Sequence, residues 1–375
     1  MTTTGSGSVR RLRPYFWETF SPGQPYAARD IAALRAGVGR EPGAVRGMRR
    51  LYRAQVFDED RAAGQESAGL AAEHVALTLF GVHQQGRPRS VHRAGAGLGA
   101  ACRVLRGCGQ VSPIAVDRRM EALAGSLSSE ELAHHLRPLV QLLRGAGIGL
   151  DYTRLLFDVR AWQQTEAEQN RRVRAWGLQY RDLARTDPGA PGPHLGASGE
   201  ECSYWERYTP GASRAAAELA ALRAGADREA GTVPAMWNLY RAEVSPYEQS
   251  TGALGSRLVA EHMVLVLFGL HQHGRRKVMH LPGMGLGTAC GRLRDSGRGS
   301  AEGLERRFGN VLTAVDGHEL GRHVRGLVSL LRVVDQPLDY SLLERDLLNW
   351  DVPGKQAAIR SRWDRTFHFT GSPSR

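Results

Sequence analysis

Apolar residues along this chain return at intervals of three and four, with polar residues filling the steps between. Tyr152, Leu155, Val159 and Trp162 form one such stripe, and Tyr340, Leu343, Leu347 and Trp350 form another. That spacing lines one face of an α-helix. Asp151 and Asp339 stand just before these stripes, where a short side-chain oxygen can cap the first turn. A preceding stripe, Leu132, Leu136, Leu139, Val140 and Leu143, opens at Ser128-x-x-Glu131, a capping-box pattern that Asp316-x-x-Glu319 repeats further on. Strict apolar–polar alternation, the mark of a strand, is nearly absent. The pattern predicts an all-α protein of helical bundles.

Comparing the chain with itself sharpens the picture. Residues 72–87 recur as 260–275, a displacement of 188, with 11 of the 16 pairs identical. The same displacement carries Leu34-Arg35-Ala36-Gly37 onto Leu222-Arg223-Ala224-Gly225 and Leu51-Tyr52-Arg53-Ala54 onto Leu239-Tyr240-Arg241-Ala242. It also carries Leu150-Asp151-Tyr152 onto Leu338-Asp339-Tyr340, and Trp162 onto Trp350. So long a period makes each copy a whole domain, of about six to eight helices, rather than a solenoid unit of about 20–50 residues. Proline and glycine crowd the stretch from Thr186 to Pro193, and glycine returns at Gly199. The expected organisation is one domain over 1–185 behind a flexible tail, a linker over 186–202, and a similar domain over 203–375.

Composition adds charge. Fifty Lys and Arg against thirty-eight Asp and Glu give a net +12, and Lys277 and Lys355 are the only lysines. A GC-rich genome accounts for the preference for Arg, but not for the surplus, which favours a polyanionic partner. Cys102, Cys108, Cys202 and Cys290 form no C-x-x-C pair, as expected of reduced thiols in a cytoplasmic protein. The first eight residues lack the apolar core of a signal peptide, and no apolar run reaches membrane-spanning length.

Sites for chemistry are scarce. Gly95-Ala96-Gly97-Leu98-Gly99 and Gly283-Met284-Gly285-Leu286-Gly287 lack the preceding strand of a dinucleotide fingerprint and the Gly-Lys-Ser/Thr of a Walker loop. A tight loop feeding a helix explains these glycines more simply. The histidines recur as His74/His262, His83/His271, His92/His280 and His135/His323, without zinc-ligand spacing, and are read as structural. No G-x-S-x-G elbow occurs. No catalytic residue, metal ligand or cofactor is assigned.

The arginines say more. Arg87, Arg89 and Arg93 cluster between the Phe80 stripe and the glycine loop, as Arg275, Arg276 and Lys277 do in the second copy. Arg118 and Arg119 map onto Arg306 and Arg307, and Arg137 and Arg144 onto Arg325 and Arg332. The closing helix adds Arg171, Arg172 and Arg174, with Arg360, Arg362 and Arg365 in looser register. A solvated charged face is the alternative reading, and a recent duplication retains everything, so recurrence alone does not decide. Few acids sit near these clusters in sequence, which suits contacts to a phosphate backbone without base choice.

The order of motifs resembles the small subunit (CasB family) of the type I-E CRISPR surveillance complex, Cascade. It runs Leu51-Tyr52-Arg53, Leu79-Phe80-Gly81-Val82-His83-Gln84, the Gly97-Leu98-Gly99 turn, Arg118-Arg119-Met120, the His135–Arg144 stretch, Leu150-Asp151-Tyr152 and Trp162, and returns in the second copy. The resemblance covers nearly all of each copy. It implies a helical, non-enzymatic subunit whose partners are the backbone and large Cascade subunits, the guide RNA, and the target and displaced DNA strands, with no membrane. The family commonly places an Arg just after the glycine turn, where Ala100 and Thr288 stand here. Leu281 and Gly291 replace Arg93 and Arg103 in the second copy, so a weaker grip is expected at that loop. A free-standing helical nucleic-acid binder is the alternative. A metal-dependent nuclease needs an Asp/Glu/His cluster that the sequence does not offer.

Overall fold

A computed structural model describes residues 13–53, 68–181, 202–298 and 300–369. The expected linker falls outside these residues except for Cys202, as does the expected N-terminal tail. The chain divides into two compact units, Met1–Arg172 and Val173–Arg375. Both are helical, and no β-strand occurs among the described residues.

In the first unit the α-helices are α1 (Phe16–Thr19), α2 (Ala27–Ala36), α3 (Ala68–Gln84), α4 (Leu98–Gly107), α5 (Pro113–Ala124), α6 (Ser129–Ala146), α7 (Tyr152–Ala161) and α8 (Glu166–Tyr180), whose last two turns fall in the second unit. The second unit adds α9 (Tyr204–Arg207), α10 (Ala215–Ala224), α11 (Pro246–Thr251), α12 (Ser256–Gln272), α13 (Leu286–Asp295), α14 (Ala301–Thr313), α15 (Gly317–Val333), α16 (Tyr340–Trp350) and α17 (Lys355–His368). Helix α11 has no described counterpart in the first unit, because the equivalent positions lie within 54–67.

Each unit is built around one central helix, α3 or α12, that is apolar on nearly every side and therefore buried. In α3 this buries Ala72, Ala76, Leu77, Leu79 and Phe80, and α2, α6 and α7 pack around them. Phe80 meets Phe20 and Tyr152 edge-on, with ring centres 5.3 and 5.2 Å away. Phe268 repeats this with Tyr208 and Tyr340 at 5.4 and 5.2 Å. Aromatic pairs prefer this geometry because a ring's positive edge faces another's negative face. The glycine following each Phe has a steric reason. A Cβ on Gly81 would lie 2.5 Å from the Leu34 Cβ, and one on Gly269 equally close to the Leu222 Cβ, so only glycine lets the two helices cross there.

The capping expectations hold with one refinement. Asp151 and Asp339 accept from the backbone N–H of Arg154 and Leu342, each at 3.0 Å. Ser128 and Asp316 accept from the N–H of Glu131 and Glu319. The two glutamates reach back one residue beyond the cap, to the N–H of Leu127 and Val315.

Candidate nucleic-acid interface

The basic loop after the central helix is held by a single buried side chain. The Gln84 amide nitrogen donates to the carbonyls of Arg87 (3.1 Å) and Arg89 (2.9 Å), and its oxygen accepts from the Val91 N–H (2.9 Å). Gln272 does the same for Arg275 (3.1 Å), Lys277 (2.9 Å) and Met279 (2.8 Å). A carboxamide carries both donors and an acceptor, so one side chain can satisfy three backbone groups of a tight loop.

A second tie fixes the glycine turn. Val91 and Arg93 pair with Leu150 through a short parallel bridge, with bonds of 2.9 and 3.0 Å. Asp151, besides capping α7, accepts from the Gly95 N–H at 2.7 Å, and Asp339 accepts from Gly283 at 2.6 Å. Gly95 and Gly283 have φ of 85° and 82°, a left-handed conformation that other residues rarely adopt. A Cβ on Gly287 would meet the Trp363 carbonyl oxygen of α17 at 2.2 Å. These glycines serve backbone geometry and helix packing.

Four of the recurring histidines, His74, His83, His262 and His271, are interior groups. His83 Nδ1 lies 2.9 Å from the Tyr152 hydroxyl and His271 Nδ1 lies 2.8 Å from that of Tyr340. Burial pushes both imidazoles down to about 4, and the neighbouring arginines push the same way: Arg87 and Arg144 for His83, Arg275 and Arg332 for His271. His74 and His262 bridge a Tyr hydroxyl to the carbonyls of Gly37 and Gly225, and burial lowers both. Among the described residues no group of three His, Cys, Asp or Glu could hold a metal ion. The four cysteines are free, and burial pushes the thiols of Cys102 and Cys290 up.

The arginines separate into groups. Arg87 donates to the Gly145 carbonyl at 3.1 Å and Arg144 to the Gln85 side chain at 2.9 Å, so loop and helix charges converge where α3 ends. Arg89, Arg93, Arg118, Arg276 and Lys277 are exposed, and Arg137 is half-buried; none of the six forms an ion pair among the described residues. Arg119 is half-buried and donates to the Ala115 carbonyl one turn back. In the second unit, Arg306 and Arg307 are exposed and Arg332 is half-buried. Two others meet acids remote in sequence: Arg275 pairs with Asp335 and Arg325 with Asp227, both at 2.9 Å.

Four of the closing-helix arginines, Arg172, Arg174, Arg360 and Arg362, depart from the expected basic face. Arg174 is 3% exposed and donates to the carbonyls of Ala230 and Gly252 and to Glu229. Its charge is consumed by an interior network of the second unit. Arg172 faces Asp158 at 3.9 Å, Arg362 pairs with Asp346, and Arg360 lies over the Trp350 ring. No sequence motif signals these partnerships, nor the part played by Gln84 and Gln272, although that glutamine recurs in both copies.

Among the described residues no helix is long and apolar enough to cross a membrane. The profile of the CRISPR-associated protein Cse2 family matches the chain twice, over residues 30–180 and again over 218–368. Two crystal structures are similar to it. One is CasB from Thermobifida fusca, 34% identical, covering 42% of this chain and 86% of its own, with a TM-score of 0.33. The other is a Cse2-family CRISPR-associated protein from Thermus thermophilus, 23% identical, covering 42% of this chain and 88% of its own, with a TM-score of 0.32. No curated protein matches. With two matches to one family profile in a single polypeptide, the chain belongs to the Cse2 family and is a tandem duplication of its domain.

Proposed function

We propose that this chain is the small subunit of a type I-E CRISPR surveillance complex and supplies two small-subunit positions from one polypeptide. It acts in the cytoplasm without catalysis of its own. Its exposed arginines contact the phosphate backbone of the guide RNA–target DNA duplex and of the displaced strand, steadying both. The backbone and large subunits of the complex are its protein partners. Fusion fixes the stoichiometry and raises the effective concentration of each domain for the other's binding site.

The observation that carries this reading is the recurrence of a whole Cse2 domain with its basic loop held in the same way, by Gln84 in one copy and Gln272 in the other. Affinity purification of the tagged chain from its native host, followed by mass spectrometry and RNA sequencing, tests it. Recovery of several unrelated proteins with one class of short repeat-derived RNA is expected. Recovery of the chain alone, or with mixed RNA, would leave a free-standing helical nucleic-acid binder instead.

A further inference from the structure

The second unit contains a cavity of about 400 Å³ whose charged lining is entirely basic. Arg294 comes from the last turn of α13, Arg298 from the following loop, and Arg306 and Arg307 from the second turn of α14. Leu330 and Val333, from the end of α15, contribute apolar surface, and Val333 is 72% exposed. Four guanidinium groups therefore line one concavity with no carboxylate among the lining residues. Arg298, Arg306 and Arg307 form no ion pair among the described residues.

Arg294 is held in place. Its Nε and Nη2 both reach Asp295 Oδ1, at 2.9 and 2.8 Å, and its guanidinium lies 4.9 Å from the Phe367 ring centre. The other three are exposed, which leaves their donors to water or to a ligand.

The first unit does not reproduce this arrangement. Arg106 stands at the position of Arg294 and is likewise ion-paired, to Asp117 at 3.0 Å, so the difference lies elsewhere. Gln110 replaces Arg298, and Gly145 replaces Val333. Arg118 and Arg119 stand where Arg306 and Arg307 do, and Arg119 gives a donor to the Ala115 carbonyl. The copies share the scaffold but differ at this corner by Arg298 against Gln110 and Val333 against Gly145, while Leu330 has Leu142 as its counterpart.

We propose that this cavity seats a phosphate group of a nucleic-acid strand, with the adjoining sugar or base against Leu330 and Val333, and that the first copy has no equivalent seat. Planar guanidinium groups donate paired hydrogen bonds to phosphate oxygens, and Arg298, Arg306 and Arg307 line one concavity with no ion pair among the described residues. The nucleic-acid source of that phosphate rests on the function proposed above. The seat predicts unequal copies, with the firmer strand contact at the α13–α14 corner of the second. This differs from the expectation at the glycine loop, where Leu281 replaces Arg93.

The test uses the full chain and two probes. Fluorescence anisotropy with a labelled oligothymidylate of about 20 nucleotides is followed against salt, and inorganic pyrophosphate is titrated by calorimetry. Arg306→Gln/Arg307→Gln should weaken oligonucleotide binding by roughly tenfold, and each lost phosphate contact should lower the salt slope by about 0.7. Arg298→Gln alone should weaken it about threefold, while Arg118→Gln/Arg119→Gln should change it less than Arg306→Gln/Arg307→Gln does. Equal losses from the two double variants, or no effect of Arg298→Gln, would overturn the seat while leaving nucleic-acid binding intact. Pyrophosphate binding that needs Arg298, without oligonucleotide binding, would keep the phosphate seat and remove the nucleic-acid reading. If neither probe binds, both fall.

Discussion

Phe80 and Phe268 sit in aromatic surroundings that match almost ring for ring, and Gln84 and Gln272 hold their loops through the same three bonds. On the helix beside them, however, Leu156 of the first copy is replaced by Glu344. Burial and the neighbouring Glu261 raise this carboxyl to about 7, against the pull of Arg241 at 3.8 Å. The α13–α14 corner diverges in the same way, with Arg298 for Gln110 and Val333 for Gly145. Where a residue satisfies backbone groups or fills a helix crossing, both copies keep it. At Leu156/Glu344 and at the α13–α14 corner they differ. Geometry in the interior tolerates few alternatives, because an unmade buried hydrogen bond or a collision costs whole kcal/mol.

The largest effects are expected at the shared scaffold. Gln84→Leu or Gln272→Leu strands one buried N–H and leaves two part-buried carbonyls without their donor, and each should lower unfolding stability by about 2 kcal/mol. Hydrogen exchange should then accelerate over 85–92 in the first variant and over 273–280 in the second. Exposed Arg89→Gln should change stability by no more than about 0.5 kcal/mol. If the glutamine variants were as mild as that, the shared-scaffold explanation would be wrong.

Acid separates the copies by a smaller amount. A histidine whose folded value lies near 4 stays neutral in the fold but takes up a proton when unfolded, below about 6.5. The unfolded state then binds more protons, so stability falls as pH drops. Between pH 7 and 5 the loss is about 2 kcal/mol for each of His83, His262 and His271. His74, the first-copy counterpart of His262, is lowered as well. Glu344 works in the opposite sense: its folded value is raised, so its contribution is present below about pH 4.5 and lost as pH rises through 7. The second unit should therefore lose less protection than the first on acidification, read peptide by peptide in hydrogen exchange. Equal losses would contradict the assignment of Glu344.

Smaller still is the effect of Glu344→Gln, which removes the titration. It should stabilise the second unit by about 1–2 kcal/mol at about pH 8 and by almost nothing at about pH 4.5, measured as urea midpoints. A gain independent of pH would point to packing instead.

The repeat, the all-α class, the stripes of α6, α7 and α16 and their Asp or Ser caps were all legible, because helical period and capping are local signals. The structural reading of His74, His83, His262 and His271 agrees with their burial and their bonds to tyrosine hydroxyls. The partners of the arginines were not. Arg174 meets Glu229, Arg275 meets Asp335 and Arg325 meets Asp227 across 55, 60 and 98 residues. Such pairings depend on how the helices pack, so acids that look remote in sequence neutralise parts of the basic clusters. Gln84 escaped for a different reason: its bonds go to backbone groups, which leave no mark on residue type. The cavity around Arg298 was hidden as well, since its lining comes from three helices and a loop.

The central claim is that one polypeptide fills two small-subunit positions in a guide-RNA complex. Native mass spectrometry of the complex purified through the tagged chain addresses it most directly. One copy of this chain per guide RNA is the predicted result. Two copies per guide RNA, or a chain that carries no guide RNA, would contradict it.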